Sequence, residues 1–367
     1  MELPPAAGAP SQHRSRTRTK LTVLAISTLV TAAAVYLAVR HRSAPVETAY
    51  SDPTDSYGIE LYNREGGRLS ARNGEVAIVL DPFTCYANYP GQATAHFKID
   101  EHGLRGGIAE DSKPKLFVLG GSLAFGFGLD SDDQSLTACL GRDVPSWTFV
   151  NAAVIGYLSG QELVQMITRL DRLHASAYVV LDGWNDFSDA LLRTPHLGVN
   201  GEFVGLGRSL ARYNQLTDDS GLARKPFAGG KADAEPADSL TRVREVYLDN
   251  IERMATWARA RNVWLMVMLQ PLADDREHPT AAETQAAVGP DLAAKYRAFV
   301  ERAVEFCGAH DIACCAVARR PEFQQSSDTL FLDGVHMTAA GHAVLAAILE
   351  RELAAANLSE PKPVKPR

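Results

Sequence analysis

From residue 115 onward the chain alternates short apolar runs with longer amphipathic stretches. The runs at 115–119, 147–152, 177–181, 262–269 and 311–317 have strand length and near-continuous apolar character. Strands covered on both faces read this way. Between them, 132–142, 160–174, 239–261 and 291–309 carry apolar residues at helical spacing, and 338–355 forms a last helix. Five strands separated by helices predict one α/β domain, a doubly wound parallel sheet with helices on both faces. Active sites of such sheets lie beyond the carboxyl ends of the strands.

Upstream, 57–106 is short-stranded and turn-rich. Val76-Ala77-Ile78-Val79-Leu80 and the stretch 95–99 read as strands, separated by the turn residues Asp81-Pro82 and Tyr89-Pro90-Gly91. The segment ends at His102-Gly103-Leu104-Arg105-Gly106, a tight turn, and serves as a small β-rich lead-in to a domain spanning 107–357. The longest break in the alternation, 187–238, is rich in Gly, Asp and Pro. It is an insertion past a strand end, placed to act as a lid or substrate loop, or in its second half a surface segment without fixed structure. The tail, 358–367, has the composition of a disordered segment.

The amino terminus changes the picture of where the domain works. Residues 21–39 carry no charge, and as a helix they span about 28 Å, close to the hydrocarbon thickness of a bilayer. Arg14, Arg16, Arg18 and Lys20 precede the run, and only Arg40 and Arg42 follow it closely. The positive-inside bias then leaves a basic tail, 1–20, in the cytoplasm, and a linker, 40–56, leads to an extracytoplasmic domain. Ala32-Ala33-Ala34 offers a signal-peptide alternative, but the apolar run continues through Val35, Tyr36 and Leu37, which favours an uncleaved single-pass anchor.

Composition mainly excludes. A formal net charge of -7 argues against nucleic-acid binding, and 46% hydrophobic residues suffice for a large core. Cys85, Cys139, Cys307, Cys314 and Cys315 have no zinc-site spacing. They read as small buried hydrophobes, with a bridge through Cys85 or Cys139 open to an exported domain. No phosphate loop is present, since no lysine follows Gly120–Gly128, and no metal or cofactor is expected.

The candidate chemistry sits at strand ends. Lys115–Leu119 runs into Gly120-Gly121-Ser122, which exposes a serine at the carboxyl edge of the sheet. The elbow Gly-x-Ser-x-Gly is not met, because Ala124 takes its last position. A serine hydroxyl needs a base, and the base needs an orienting acid. Asp333-Gly334-Val335-His336, before the last helix, supplies both, whereas His342 reads as an ordinary helical residue. An oxyanion needs donors. The loop after the second strand offers the Gly156 N–H, and the third strand runs into Gly183-Trp184-Asn185-Asp186, where the Asn185 amide can donate. Asp182 and Asp186 read as structural hydrogen-bonding residues, with no third metal ligand nearby.

Gly120-Gly121-Ser122, Gly156, Gly183-Trp184-Asn185-Asp186 and Asp333-Gly334-Val335-His336, in this order, resemble the four blocks of the SGNH (GDSL-type) hydrolase superfamily over residues 100–355. The resemblance implies a flavodoxin-like three-layer αβα fold. It also implies Ser122 as nucleophile, His336 as base, Asp333 as its orienter, and an oxyanion hole from the Ser122 N–H, the Gly156 N–H and the Asn185 amide. Gly121 stands where the Gly-Asp-Ser form has aspartate, as in bacterial membrane-anchored members with a Gly-Gly-Ser turn. The expected function is ester hydrolysis through an acyl-enzyme, on a small-molecule or glycan ester; small acyl groups on carbohydrate or cell-envelope polymers fit the polar 187–238 stretch. O-acyl transfer by the same triad and a catalytically silent, membrane-tethered binding protein are the alternatives.

Overall fold

The computed structural model describes residues 59–62, 76–109, 112–192 and 239–358. The basic tail, the 21–39 run, the linker, most of the 187–238 insertion and the end of the 358–367 tail lie outside the described residues. Among the described residues no helix is long and apolar enough to cross a membrane.

Three strands form the lead-in sheet: β1 (Ile59–Tyr62), β2 (Val76–Asp81) and β3 (Cys85–Asn88). β2 pairs parallel to β1 and antiparallel to β3. The stretch 95–99 is not the strand its pattern predicts, and it makes only the isolated bridges Ala93–Lys98 and Ile99–Arg105. The partner strand is β3, reached by a turn in which Asp81 Oδ1 accepts from the backbone N–H groups of Phe83 and Thr84. That side chain closes the turn at Pro82 and fixes the register.

The main sheet comprises β4 (Lys115–Gly120), β5 (Thr148–Asn151), β6 (Ala177–Asp182), β7 (Trp264–Leu269) and β8 (Ala313–Ala316). All four pairings are parallel, in the order β5-β4-β6-β7-β8. Counted within this sheet the order is 2-1-3-4-5, the flavodoxin-like variant of the doubly wound fold, whose switch point lies between its first and third strands.

The helices are α1 (Ser122–Phe125), α2 (Leu136–Asp143), α3 (Ser159–Thr168), α4 (Trp184–Leu192), α5 (Ser239–Ala260), α6 (Ala281–Ala286), α7 (Pro290–Ala309), α8 (Pro321–Gln324) and α9 (Ala339–Ala355). Strand alternation sorts the core into two layers. Leu116 and Val118 of β4 face Leu136 and Leu140 of α2 and Leu345 and Leu349 of α9. Phe117 and Leu119 face Met166 of α3, Ile251 and Met254 of α5, and Phe299 of α7. Each fully buried side chain of this size contributes about 1.5–3 kcal/mol relative to exposure.

The predicted strands and long helices correspond to observed elements, with ends moved by a few residues. α1, α6 and α8, of four to six residues, carry no period long enough to be read. α4 shifts the start of the insertion: Phe187 is 1% exposed and packs in the α7 layer, so the helix continues where an insertion is expected. All five cysteines are free thiols; Cys139 and Cys307 are buried, and Cys85 is exposed on β3.

Candidate active site

β4 delivers Ser122 to the switch point. Gly120 has φ +147, and an added Cβ would lie 2.3 Å from the Leu181 carbonyl oxygen of β6, so the chain can turn here only without a side chain. Gly121 follows, and Ser122 begins the one-turn α1.

Asp333 and His336 arrive on the loop before α9. That loop is tied down by backbone bonds from Leu332 N–H to the His336 carbonyl (2.8 Å) and from Ala273 N–H to the Gly334 carbonyl (3.1 Å). The Gln270 amide donates to the Val335 carbonyl (3.0 Å). Thr338 Oγ1 accepts from Gly341 N–H and caps α9, which fixes where the loop ends.

These elements bring the three side chains into line. His336 Nε2 lies 2.8 Å from Ser122 Oγ, and His336 Nδ1 lies 2.6 Å from Asp333 Oδ2. A carboxylate only accepts, so Nδ1 carries the hydrogen, and in the neutral ring Nε2 accepts from the Ser122 hydroxyl. Asp333 Oδ1 accepts from the Val335 and His336 backbone N–H groups at 2.8 and 2.7 Å. Burial pushes the Asp333 carboxyl up, but the His336 ring and these two amides outweigh it and hold it below the usual range. The Phe127 ring packs 5.0 Å from the His336 ring, centroid to centroid.

Asn185, near the start of α4, donates through Nδ2 to the Tyr157 carbonyl at 2.8 Å. Nδ2 lies 2.2 Å from where a Cβ on Gly121 would sit, directly beside the serine turn. Gly156 has φ +75 in the loop that Tyr157 continues. Tyr157 is fixed in turn by its hydroxyl, which donates to the Tyr86 carbonyl (2.6 Å) on β3. The sequence reading gave no role to Tyr157 or to the lead-in strand behind it, because the contact joins residues 71 apart in sequence.

Beneath Asn185 lies a buried carboxylate node. Asp186 accepts from the Ser159 hydroxyl (2.7 Å) and from its N–H (2.9 Å), joining α4 to α3. Asp182 accepts from the Tyr247 hydroxyl at 2.8 Å. A third carboxyl, Glu162 of α3, is fully buried against Asp182. Burial first, then the neighbouring Asp182 and Asp186 charges, pushes Glu162 well above the carboxylate range, and Asp182 rises to about 7 by burial and the Asp186 charge. Asp182 and Asp186 thus make the hydrogen bonds expected of them, and the third carboxyl beside them is Glu162. Glu162 escaped the sequence reading as one polar position on an amphipathic helix. His342 is a correction of a different kind: it is buried, and its Nδ1 accepts from the Leu136 N–H (3.2 Å) at the start of α2. Burial, with the Arg105 and His336 charges, pushes it down to about 3.

A serine, histidine and aspartate in one hydrogen-bonded line at the carboxyl edge of a 2-1-3-4-5 sheet have the arrangement of a hydrolase triad on a doubly wound fold. Within this class of hydrolases the chain belongs to the GDSL-like lipase/acylhydrolase family, whose model matches residues 118–344, and it is a hydrolase acting on ester bonds. Among solved structures it is similar to a lipase/acylhydrolase from Enterococcus faecalis, at 14% identity and TM-score 0.41 over 69% of this chain and 100% of that one. It is also similar to the psychrotrophic esterase EstA from Pseudoalteromonas sp., at 11% identity and TM-score 0.40 over 67% and 99%. A GDSL-like lipase from Bacteroides thetaiotaomicron matches at 13% identity and TM-score 0.37 over 68% and 91%. No curated protein matches the chain.

Proposed function

We propose that this hydrolase is a serine esterase working through an acyl-enzyme, with Ser122 as nucleophile, His336 as general base and acid, and Asp333 as the residue that orients His336. The observation that carries the reading is the unbroken line Ser122 Oγ–His336 Nε2–His336 Nδ1–Asp333 Oδ2, with spacings of 2.8 and 2.6 Å. As Oγ attacks the ester carbonyl, its proton passes to Nε2, and the resulting imidazolium lies against Asp333. The tetrahedral oxyanion is assigned to the Ser122 N–H, the Gly156 N–H and the Asn185 amide. A carboxamide nitrogen carries two hydrogens; Tyr157 takes one, and the other is the one we assign to the oxyanion. Collapse expels the alcohol, which takes the proton from Nε2, and water repeats the sequence on the acyl-enzyme.

For the substrate we infer small acyl esters of carbohydrate or cell-envelope material. The support is the sequence between α4 and α5, which is mainly polar, with its aromatic residues dispersed and no long apolar run of the kind that suits a lipid chain. For location we infer the extracytoplasmic side of the cytoplasmic membrane, on the charge-free 21–39 run and the arginines before it.

A fluorophosphonate tests the mechanism. The wild-type protein is expected to react at one serine, and Ser122→Ala and His336→Ala to lose the reaction. Equal labelling of wild type and Ser122→Ala overturns the mechanism. An ester panel of rising acyl length then tests the substrate class, with activity expected to fall beyond short acyl chains; the inference fails if long chains are preferred.

A further inference from the structure

The lead-in turn that ends at Arg105 reaches into the catalytic layer. Arg105 is 2% exposed, and its backbone N–H donates to the Asn151 carbonyl (3.0 Å) at the end of β5. Its Nη1 donates to the Phe125 carbonyl at 2.9 Å and to the Gly126 carbonyl at 2.8 Å. Those are the last residue of α1 and its cap. Nε donates to Asp132 Oδ1 (2.8 Å), whose other oxygen accepts from the Lys98 N–H (2.9 Å). The guanidinium also lies 4.8 Å from the Phe125 ring centre and 5.2 Å from that of Phe97. The two rings lie only 5.4 Å from each other, so they flank the guanidinium together, while the Phe125 and Gly126 carbonyls and Asp132 take up Nη1 and Nε.

A one-turn helix leaves its final carbonyls without partners inside the turn. Here Asn151 Nδ2 donates to the Ala124 and Phe125 carbonyls (2.9 and 3.2 Å), and Arg105 covers Phe125 and Gly126. The peptide that Arg105 grips has the serine at one end and a histidine contact at the other. Ser122 opens the turn, and Phe127, next after Gly126, packs on the His336 ring. Movement of this peptide would change the Ser122–His336 spacing from both sides.

We propose that Arg105 is a positioning residue for the esterase reaction: it clamps the carbonyl end of the Ser122 turn and so sets Ser122 Oγ and Phe127 against His336. The proposal rests on the reading of Ser122 as the nucleophile. Arg105 touches neither the serine nor the ester site, so it acts on the alignment of the reacting groups and not on substrate affinity. A lysine keeps the charge but is a single point donor where the guanidinium is a rigid fork, so it meets this role only in part.

The test uses the full chain and three variants: Arg105→Ala, Arg105→Lys and Ser122→Ala. The readouts are the second-order rate of fluorophosphonate reaction, kcat and KM on p-nitrophenyl acetate, and the melting temperature. The expected result for Arg105→Ala is a fall of about 10–100-fold in kcat and in the fluorophosphonate rate, the scale of a misalignment near 1 Å, with KM within about twofold. Arg105→Lys recovers part of both rates, and millimolar guanidinium raises them in Arg105→Ala. If Arg105→Ala does not fold, Arg105→Lys carries the test through the same kcat-against-KM split on folded protein. Folded Arg105 variants that react at the wild-type rate, or that change KM alone, overturn the proposal. Wild type that fails to label at Ser122 overturns instead the esterase reading on which it rests.

Discussion

At Gly121 the absence of a side chain has a defined tenant. An added Cβ would fall 2.2 Å from Asn185 Nδ2, so the carboxamide occupies the volume an ordinary residue would fill. Gly120 differs, since its Cβ would meet the Leu181 carbonyl oxygen at 2.3 Å, and its φ is +147. Backbone in a sheet cannot yield as a carboxamide can. Two neighbouring glycines thus give opposite expectations. Gly121→Ala displaces Asn185 from the Tyr157 carbonyl, and kcat is expected to fall about 10–100-fold with KM changed little, approaching the loss of one oxyanion donor. Its melting temperature stays within a few degrees of wild type. Gly120→Ala is expected to cost about 2–5 kcal/mol of stability from strain and overpacking, read as a lowered melting temperature. If Gly121→Ala keeps wild-type kcat, the Asn185 amide is not positioned by that gap.

Among the elements, α3, α4, α5 and the end of β6 meet at one buried node. Glu162 and Asp186 come from α3 and α4, Tyr247 and Asn250 from α5, and Asp182 from β6, with Ser159 bonded to both Asp186 and Asn250. Burial and the neighbouring carboxylate charges favour the protonated form of both Glu162 and Asp182. Asp182, raised to about 7, holds in the folded chain a proton that the unfolded chain releases near pH 4. Its contribution to stability is therefore complete at low pH and is lost as pH rises through 7. His342 has the opposite sign. Depressed to about 3, it stays neutral when the unfolded chain would protonate below about 6.5, so stability falls as pH drops below that value. The melting temperature should pass through a broad maximum between about pH 4 and 6.5, where the two slopes oppose. In Glu162→Gln, which removes the raised carboxyl, the decline on the alkaline side of the maximum should be shallower. A decline as steep as wild type would show that Glu162 binds no extra proton in the folded chain.

The same elements show what the sequence makes legible. β4 and β6 are recognisable because both faces are covered, so nearly every position is apolar. Ser122, Asp333 and His336 could be singled out because each lies at a strand end or a helix start, where residue type and turn chemistry coincide. α1 and α8 have four residues each and leave no periodic trace. The histidine at 342 looked like any helical residue, since nothing local reveals that its ring meets the Leu136 N–H, 206 residues away. Long-range polar contacts of this kind have no sequence period to betray them.

At the scale of the molecule, the family match begins at residue 118, yet the catalytic layer is braced from before it. Tyr86 donates to the Ile155 carbonyl (3.1 Å), Asn88 to the Ala153 carbonyl (3.0 Å), and Gln161 to the Thr84 carbonyl (2.8 Å). All three bonds hold the loop that carries Gly156 and the start of α3. Tyr86, Phe97, Ile99 and Leu104 are buried to 3% exposure or less. At about 1.5–3 kcal/mol each, their burial amounts to about 6–12 kcal/mol, comparable with the whole stability of a typical domain. The lead-in is therefore part of the folding unit and not an appendage to it. A chain beginning at 57, which keeps β1 to β3 and the Arg105 turn, is expected to melt within a few degrees of the full chain and to react with fluorophosphonate at the same rate. A chain beginning at 107, cut close to the family boundary, is expected to aggregate or to melt far lower, with Ser122 unreactive. Equal melting temperatures and equal labelling rates for the two would show that the 118–344 region stands alone and that its bonds to the lead-in are dispensable.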